Sequence, residues 1–392
     1  MTTTEAAGPF DRILRNAGWH NGELVYLATS GDKTYLAKGA SVNELEGEHL
    51  SQFGPGVLTW SPDRQTFLAF TLHQGAVRWY RNAMLQPDKY ASLPMVVPDQ
   101  TDSSAVFVAR DGCVQLIRNG PGTAHELGWD MIRKVTVSGG HVFVSGLLNG
   151  QDTFTRDNVI LAKELVTDFA VDSGGDHWIA NVTRADAEGP IQRILHDDDI
   201  VGELADPGGP GRVFHASSGN VWAYILSRWD SQVLAHATLG DIEIPDGPIS
   251  YALSPDGTGE VLAHHDPKKN AWTVLVNRES IGDFHGIANQ GVIAGPESAY
   301  LAVVSKDGKL HGMTKEGIGP AMDEWVPHAV FLPDGVASYV GKVGEEWWVI
   351  RGKEFKRILA DQVFARETLR VEGARVHVSV LRGKEYLDLS WE

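Results

Sequence analysis

Along the chain, short apolar or alternating runs follow one another, each closed by a cluster of Pro, Gly, Asp, Asn or Ser. Val57-Leu58-Thr59-Trp60 leads into Ser61-Pro62-Asp63, and Thr66-Phe67-Leu68-Ala69-Phe70 leads out of it. Ile249-Ser250-Tyr251-Ala252-Leu253 enters Ser254-Pro255-Asp256-Gly257 in the same way. Runs this short, rich in β-branched and aromatic residues, predict strands rather than helices. The punctuation predicts reversals, because Pro presets φ, Asp bonds back to its own backbone and Gly accepts positive φ. Strand, tight turn, strand is a hairpin.

The turn returns as Leu332-Pro333-Asp334-Gly335 and, in weaker form, at Asn21-Gly22, Thr101-Asp102, Ser138-Gly139-Gly140, Ser173-Gly174-Gly175, Ser217-Ser218-Gly219, Gly295-Pro296 and Glu372-Gly373. The spacing averages about 39 residues, the length of one supersecondary unit of a repeat protein. Residues 248–284 show its contents: Ile249 to Leu253, the turn, Glu260 to His265, a polar loop, Trp272 to Val276, then a fourth strand after Asn277-Arg278. That last reversal recurs as Arg81-Asn82, Asn119-Gly120, Arg351-Gly352 and Lys38-Gly39. Four antiparallel strands per unit make a propeller blade.

An apolar strand, SPDG, an apolar second strand and a third ending in Asn or Gly resemble the bacterial WD40-like β-propeller repeats of the TolB-related (PD40) kind. The resemblance spans most of the chain and is strongest at 56–93, 248–284 and 325–359. It implies an all-β propeller. Trp129-Asp130 and Trp229-Asp230 are not placed as in eukaryotic WD40 repeats, so no specific WD40 function follows from them.

The expected organisation is a disordered tail at 1–8 and a propeller over 9–392. Repeats fall at about 18–55, 56–93, 94–127, 128–165, 166–204, 205–247, 248–284, 285–324, 325–359 and 360–392. The last unit supplies three strands, and Phe10-Asp11-Arg12-Ile13-Leu14 matches Phe355-Lys356-Arg357-Ile358-Leu359. The segment 9–17 is therefore expected to complete the last blade, which removes an exposed sheet edge. One ring of about ten blades, two fused five-bladed rings, and a seven- or eight-bladed ring all fit the spacing.

Hydrophobic residues make up 42% of the 392 positions, enough for a large core. Thirty-four Lys and Arg against 51 Asp and Glu leave a net charge of −17, which repels nucleic acid and anionic lipid surfaces. A single cysteine, no apolar stretch of membrane-spanning length and a first segment without a basic or apolar character give a cytoplasmic protein as the expectation.

Catalytic motifs are scarce. G-x-S-x-G, Walker A, H-E-x-x-H and paired C-x-x-C do not occur. His264-His265-Asp266 offers metal-ligand chemistry, but neighbours on a strand point to opposite faces. His196-Asp197-Asp198-Asp199 lacks the spacing of a calcium loop and is expected to be a solvated turn. No metal site or cofactor is therefore assigned, and no catalytic residue.

Eight tryptophans fall in predicted strands, whereas Trp19, Trp129, Trp229 and Trp325 fall in or beside predicted loops. Loops between units and loops joining second to third strands emerge on one face of a propeller. That face would carry Phe53, Trp129, Arg133, Arg212, His285 and Trp325 from the first set, and Trp229, Lys268 and Lys269 from the second. Aromatic and Arg anchors dominate binding hot spots, and sparse basic groups on an acidic body mark where an acidic partner could dock. The expected function is a non-enzymatic protein-binding or scaffold propeller, with room for a small-molecule ligand. The alternatives are a metal-assisted hydrolase or lyase with an axial site, and a structural component of a larger assembly.

Overall fold

In the computed structural model, the described residues are 2–5, 10–14, 17–50, 58–60, 66–87, 89–90, 95–99, 105–111, 114–119, 123–124, 127–187, 189–383 and 385–391. The protein is all-β, a β-propeller architecture of four-stranded antiparallel blades. Among the described residues the strands form ten sheets: seven have four strands in consecutive order, and three have five, with an extra short strand paired beside the main path. The sheet of Ile249–Leu253, Glu260–Asp266, Ala271–Val276 and Glu279–Phe284 is typical: every neighbour is antiparallel, and Tyr251 stands opposite Leu262, which stands opposite Leu275. A single-turn helix, Ala365–Thr368, interrupts the last sheet.

Contacts divide the chain into two compact units, one of Met1–Thr3, Thr167–Asp172 and His177–Glu392, the other of Thr4–Val166 and Ser173–Asp176. In the first unit each apolar cluster is shared by two consecutive sheets. Ala223, Ile225 and Leu234 of one sheet pack with Tyr251, Leu262 and Leu275 of the next, and Val261, Ala263 and Val274 pack with Ala302 and Val304. In the second unit Val25, Leu27 and Leu36 share a core with Phe67, Phe70 and Trp79. The 249–284 sheet buries one face through Tyr251, Leu262 and Leu275 and the other through Val261, Ala263 and Val274, which is how a repeat protein builds a core from units too small to have one alone.

Two short-range devices recur. At the turn between third and fourth strands, Asn82, Asp157, Asp197 and Asn277 adopt left-handed φ of 49°, 50°, 52° and 50°. Each turns its side-chain oxygen onto an N–H at the start of the second strand, on Phe67, Val142, Trp178 and Glu260, at 2.8–3.0 Å. Asn and Asp tolerate αL and can bond locally, which explains their place here. The second device ties the start of a unit to the hairpin between its second and third strands. Asp11, Asp130, Asp323 and Asp361 accept the N–H of Gly31, Gly150, Gly344 and Gly383 at 2.6–2.8 Å.

An N-terminal strand does complete the last sheet, as expected, but it is not the expected segment. Thr2–Glu5, assigned to a disordered tail, forms a strand beside Glu385–Trp391 in the last sheet. Residues 10–14, expected to close that sheet, join the first one instead, with Arg12 and Ile13 opposite Thr29 and Ala28. The reason is side-chain phase. Phe10 packs on Tyr26 and Tyr35, and Leu14 is buried. In the matching pentapeptide Ile358 is buried and Leu359 is 57% exposed, so the two segments present opposite alternations and cannot do the same job.

Candidate functional site

The proposed face residues meet different fates. Phe53 lies outside the described residues. Trp129 is 1% exposed and belongs to the core with Val137 and Val144, so it offers no surface. Trp325 sits within the strand Glu324–Phe331 rather than a loop and packs against the core of Leu301 and Tyr339. Among the basic groups, Arg133 pairs with Asp152 at 2.5 Å, Lys269 with Asp283 at 3.1 Å, and Arg212 donates to the carbonyl of Ile249 at 3.3 Å. Lys268 and His285 are exposed, and each is fixed through its backbone N–H, to Asp266 and to the Ser305 carbonyl.

Trp229 stands apart at 70% exposed. It occupies the hairpin between Trp222–Ser227 and Ser231–His236. Its indole Nε1 donates to Asp206 Oδ2 at 3.2 Å. Asp206 directly follows the strand Asp199–Ala205 and opens the connection to Arg212–His215; the glycine-binding aspartates of other units sit instead immediately before their first strands, so here a different carboxylate reaches the hairpin and holds an indole. Gly208 N donates to the Ser227 carbonyl at 2.9 Å, and a Cβ on Gly208 would stand 2.4 Å from the Arg228 carbonyl oxygen and 2.8 Å from the Trp229 nitrogen. Gln192 Nε2 binds the Gly209 carbonyl from below at 2.8 Å. The loop is thus pinned on both sides of the tryptophan. Nearby, Glu243 accepts from Arg228 and Ser231, and Asp230 is exposed. Most other exposed apolar residues, such as Val159, Ile200 and Phe355, lie on outermost strands instead.

At the opposite end of the same sheet is a cluster that the linear pattern does not reveal. His215 pairs with Trp222 in register, while Arg212 pairs with Ile225 near Trp229. The ring of His215 lies 6.5 Å from that of His177 and 6.0 Å from that of His196, and the latter two are 6.3 Å apart. His177 precedes Trp178–Asp186, His196 ends Gly189–His196, and His215 ends Arg212–His215. Asp197 bonds His177 Nδ1 at 3.0 Å with one oxygen and caps Trp178 N at 3.0 Å with the other. Its carboxyl is held below the usual range: burial pushes it up, but the His177 and Trp178 hydrogen bonds outweigh that. Burial pushes His215 down. His196-Asp197 is therefore no simple solvated turn, since the His196 side chain is only 11% exposed. The partners, His177 and His215, each lie 19 residues away, beyond any local motif.

His264 and His265 do alternate across their strand, His264 buried and His265 edge-on to Trp272. Elsewhere, a cleft of about 330 Å³ between two sheets is lined by Lys356, Arg357 and Arg382 with Val376, Val378 and Leu389. No helix among the described residues is long and apolar enough to cross a membrane.

The chain matches no protein-family model and no curated protein. Among solved structures it is similar to the dihydro-heme d1 dehydrogenase NirN in complex with DHE, at 12% identity and a TM-score of 0.41 over 91% of this chain and 77% of that one. Virginiamycin B lyase from Staphylococcus aureus is 12% identical, with a TM-score of 0.32 over 76% of this chain and 95% of that one. The Swd1 beta-propeller domain of Myceliophteria thermophila is 10% identical, with a TM-score of 0.32 over 64% and 94%.

Proposed function

We propose that this protein is a protein-binding propeller module whose anchor is Trp229, and that its partner presents a Lys- or Arg-bearing segment. The observation that carries the reading is an exposed tryptophan fixed by Asp206 where other units hold a glycine. A tryptophan side chain buries about 150–250 Å², so leaving most of this one in water forgoes roughly 3 kcal/mol of stabilisation. Holding it rigid removes part of the ordering cost that a partner would otherwise meet.

The charge points to the partner. Arg133, Arg212 and Lys269 are engaged within the protein, so the net −17 is what an approaching molecule meets. The indole face, with Asp206 and Asp230 beside it, suits a cationic side chain through cation–π and ionic attraction. This revises the acidic partner expected from sparse surface cations.

Calorimetric titration with arrays of Lys/Arg-rich and Asp/Glu-rich peptides tests the reading. Binding of the basic set that weakens with salt and drops at least 10-fold in Trp229→Ala supports it. Equal binding by Trp229→Ala, or preference for the acidic set, overturns it.

A further inference from the structure

We propose that His177, His196 and His215, backed by Asp197, bind one divalent transition-metal ion of the zinc type. The donor atoms of His177, His196 and Asp197 already lie within 4.8 Å of one another. The three imidazole centroids form a near-equilateral triangle with sides of 6.0–6.5 Å. Zinc–nitrogen bonds of about 2.0–2.1 Å place imidazole centroids roughly 5.2 Å apart around a tetrahedral ion, so loading takes a contraction of roughly 1 Å together with rotation of the rings, now within 18° of parallel, until the His215 nitrogen joins those of His177 and His196.

The protonation pattern suits a metal. His215 Nδ1 faces the Ala216 carbonyl at 2.8 Å. A carbonyl only accepts, so Nδ1 carries the proton and Nε2 presents its lone pair. That Nε2 is buried without a hydrogen-bond partner, and so is His196 Nε2. Two buried imidazole nitrogens in one cluster without hydrogen bonds, His196 Nε2 being no closer than 3.8 Å to Asp197 Oδ2, are costly unless something else satisfies them. Asp197 orients His177 from behind while the Trp178 N–H fixes Asp197 itself, the arrangement by which carboxylates orient metal-binding histidines. Imidazole donors with one carboxylate favour zinc and its neighbours over calcium or magnesium.

His177 and His196 belong to the 165–205 region, and His215 ends the first strand of the next sheet. An ion here joins two consecutive sheets at the end remote from Trp229. Its binding is therefore independent of the peptide surface, and the two proposals fail separately.

The experiment uses tag-free, chelator-treated full-length protein titrated with Zn²⁺ by calorimetry, and with Co²⁺ followed by visible absorption. One ion per chain is expected, with a higher melting temperature in Zn²⁺. His196→Ala and His215→Gln should each weaken binding at least 10-fold and abolish the thermal gain, and Asp197→Asn should weaken it about 10- to 100-fold. His265→Ala, outside the cluster, should bind as the parent does. Near-UV circular dichroism confirms that each variant is folded, and His215→Gln stands in if His196→Ala is not. Absence of saturable binding by the parent, or binding unchanged in the folded cluster variants, overturns the proposal.

Discussion

Asp256 Oδ2 accepts the backbone N–H of Glu297 at 2.8 Å, joining the first turn of one sheet to that of the next. The other oxygen accepts from Ser254 Oγ, Thr258 N and Thr258 Oγ1 at 2.7–3.1 Å. The aspartate of the repeated SPDG turn therefore shapes its own turn and also clamps the neighbouring one.

Asp256→Ala should destabilise the protein by about 1–3 kcal/mol, since several donors lose a charged acceptor. Burial raises this carboxyl, but the hydrogen bonds prevail and hold it far below the usual range. A depressed carboxylate contributes fully above its unfolded value, about 3.9, and loses that contribution as pH falls toward the native value. Urea unfolding should show the gap between parent and Asp256→Asn narrowing from pH 7 to pH 3.

Glu260 is the most deeply enclosed ion-pair partner described, with its side chain 1% exposed. It meets Arg278 Nε at 2.6 Å and accepts from Tyr251 at 2.9 Å. Glu260→Ala leaves a buried guanidinium uncompensated and should cost about 3–5 kcal/mol, whereas the double variant Glu260→Met, Arg278→Met should recover most of it. Thermal melts of the three proteins distinguish a broken pair from a lost volume.

His236 is 3% exposed, and its Nδ1 accepts N–H bonds from Thr238 and Leu239. Burial, with Arg278 adding to it, pushes its pKa down to about 4. The unfolded chain takes up the proton near 6.5 and the folded chain does not, so this contribution is full above 6.5 and falls between 6.5 and 4. His236→Asn should flatten that part of the stability–pH curve in chemical denaturation; an unchanged slope would show that the imidazole is not the source.

The third-to-fourth turn makes a sharper prediction, because the protein already contains both versions of it. Asp157 caps Val142 as Asn82 caps Phe67. Asp157→Asn keeps the cap and weakens only the exposed contact of the second oxygen with His141 Nδ1, so it should cost less than about 1 kcal/mol, and Asp157→Ala should lose about 2 kcal/mol or more through the missing cap and an alanine in αL. Equilibrium unfolding of the pair checks this.

Gly208→Ala tests the Trp229 mount without touching the indole. A methyl group there collides with the Arg228 carbonyl and Trp229 nitrogen, so the hairpin must shift. Peptide binding should weaken several-fold while the melting temperature changes by a few degrees, and retained affinity would show that the mount is not needed.

Much of the fold is legible in the chain because its determinants are local. SPDG specifies its turn through side-chain bonds within a few residues, such as Thr258 N–H to Asp256, and Asn277-Arg278 specifies its reversal through left-handed φ at both positions. The pentapeptide at 10–14 misled for a related reason: similar letters carry no information on which face is buried, and Phe10 was claimed by Tyr26 and Tyr35. Trp129 and Trp229 both precede an Asp in a loop-like stretch, yet one is buried and the other 70% exposed.

The sequence by itself determined the strand lengths, the reversals and the acidic surface, because each depends on neighbouring residues or on a sum over all of them. Tertiary structure alone decided that Asp206 holds Trp229 and that the rings of His177, His196 and His215 lie within 6.0–6.5 Å of one another. Those associations arise from the stacking of successive sheets, which brings together residues about twenty positions apart whose separation along the chain carries no signature of their contact.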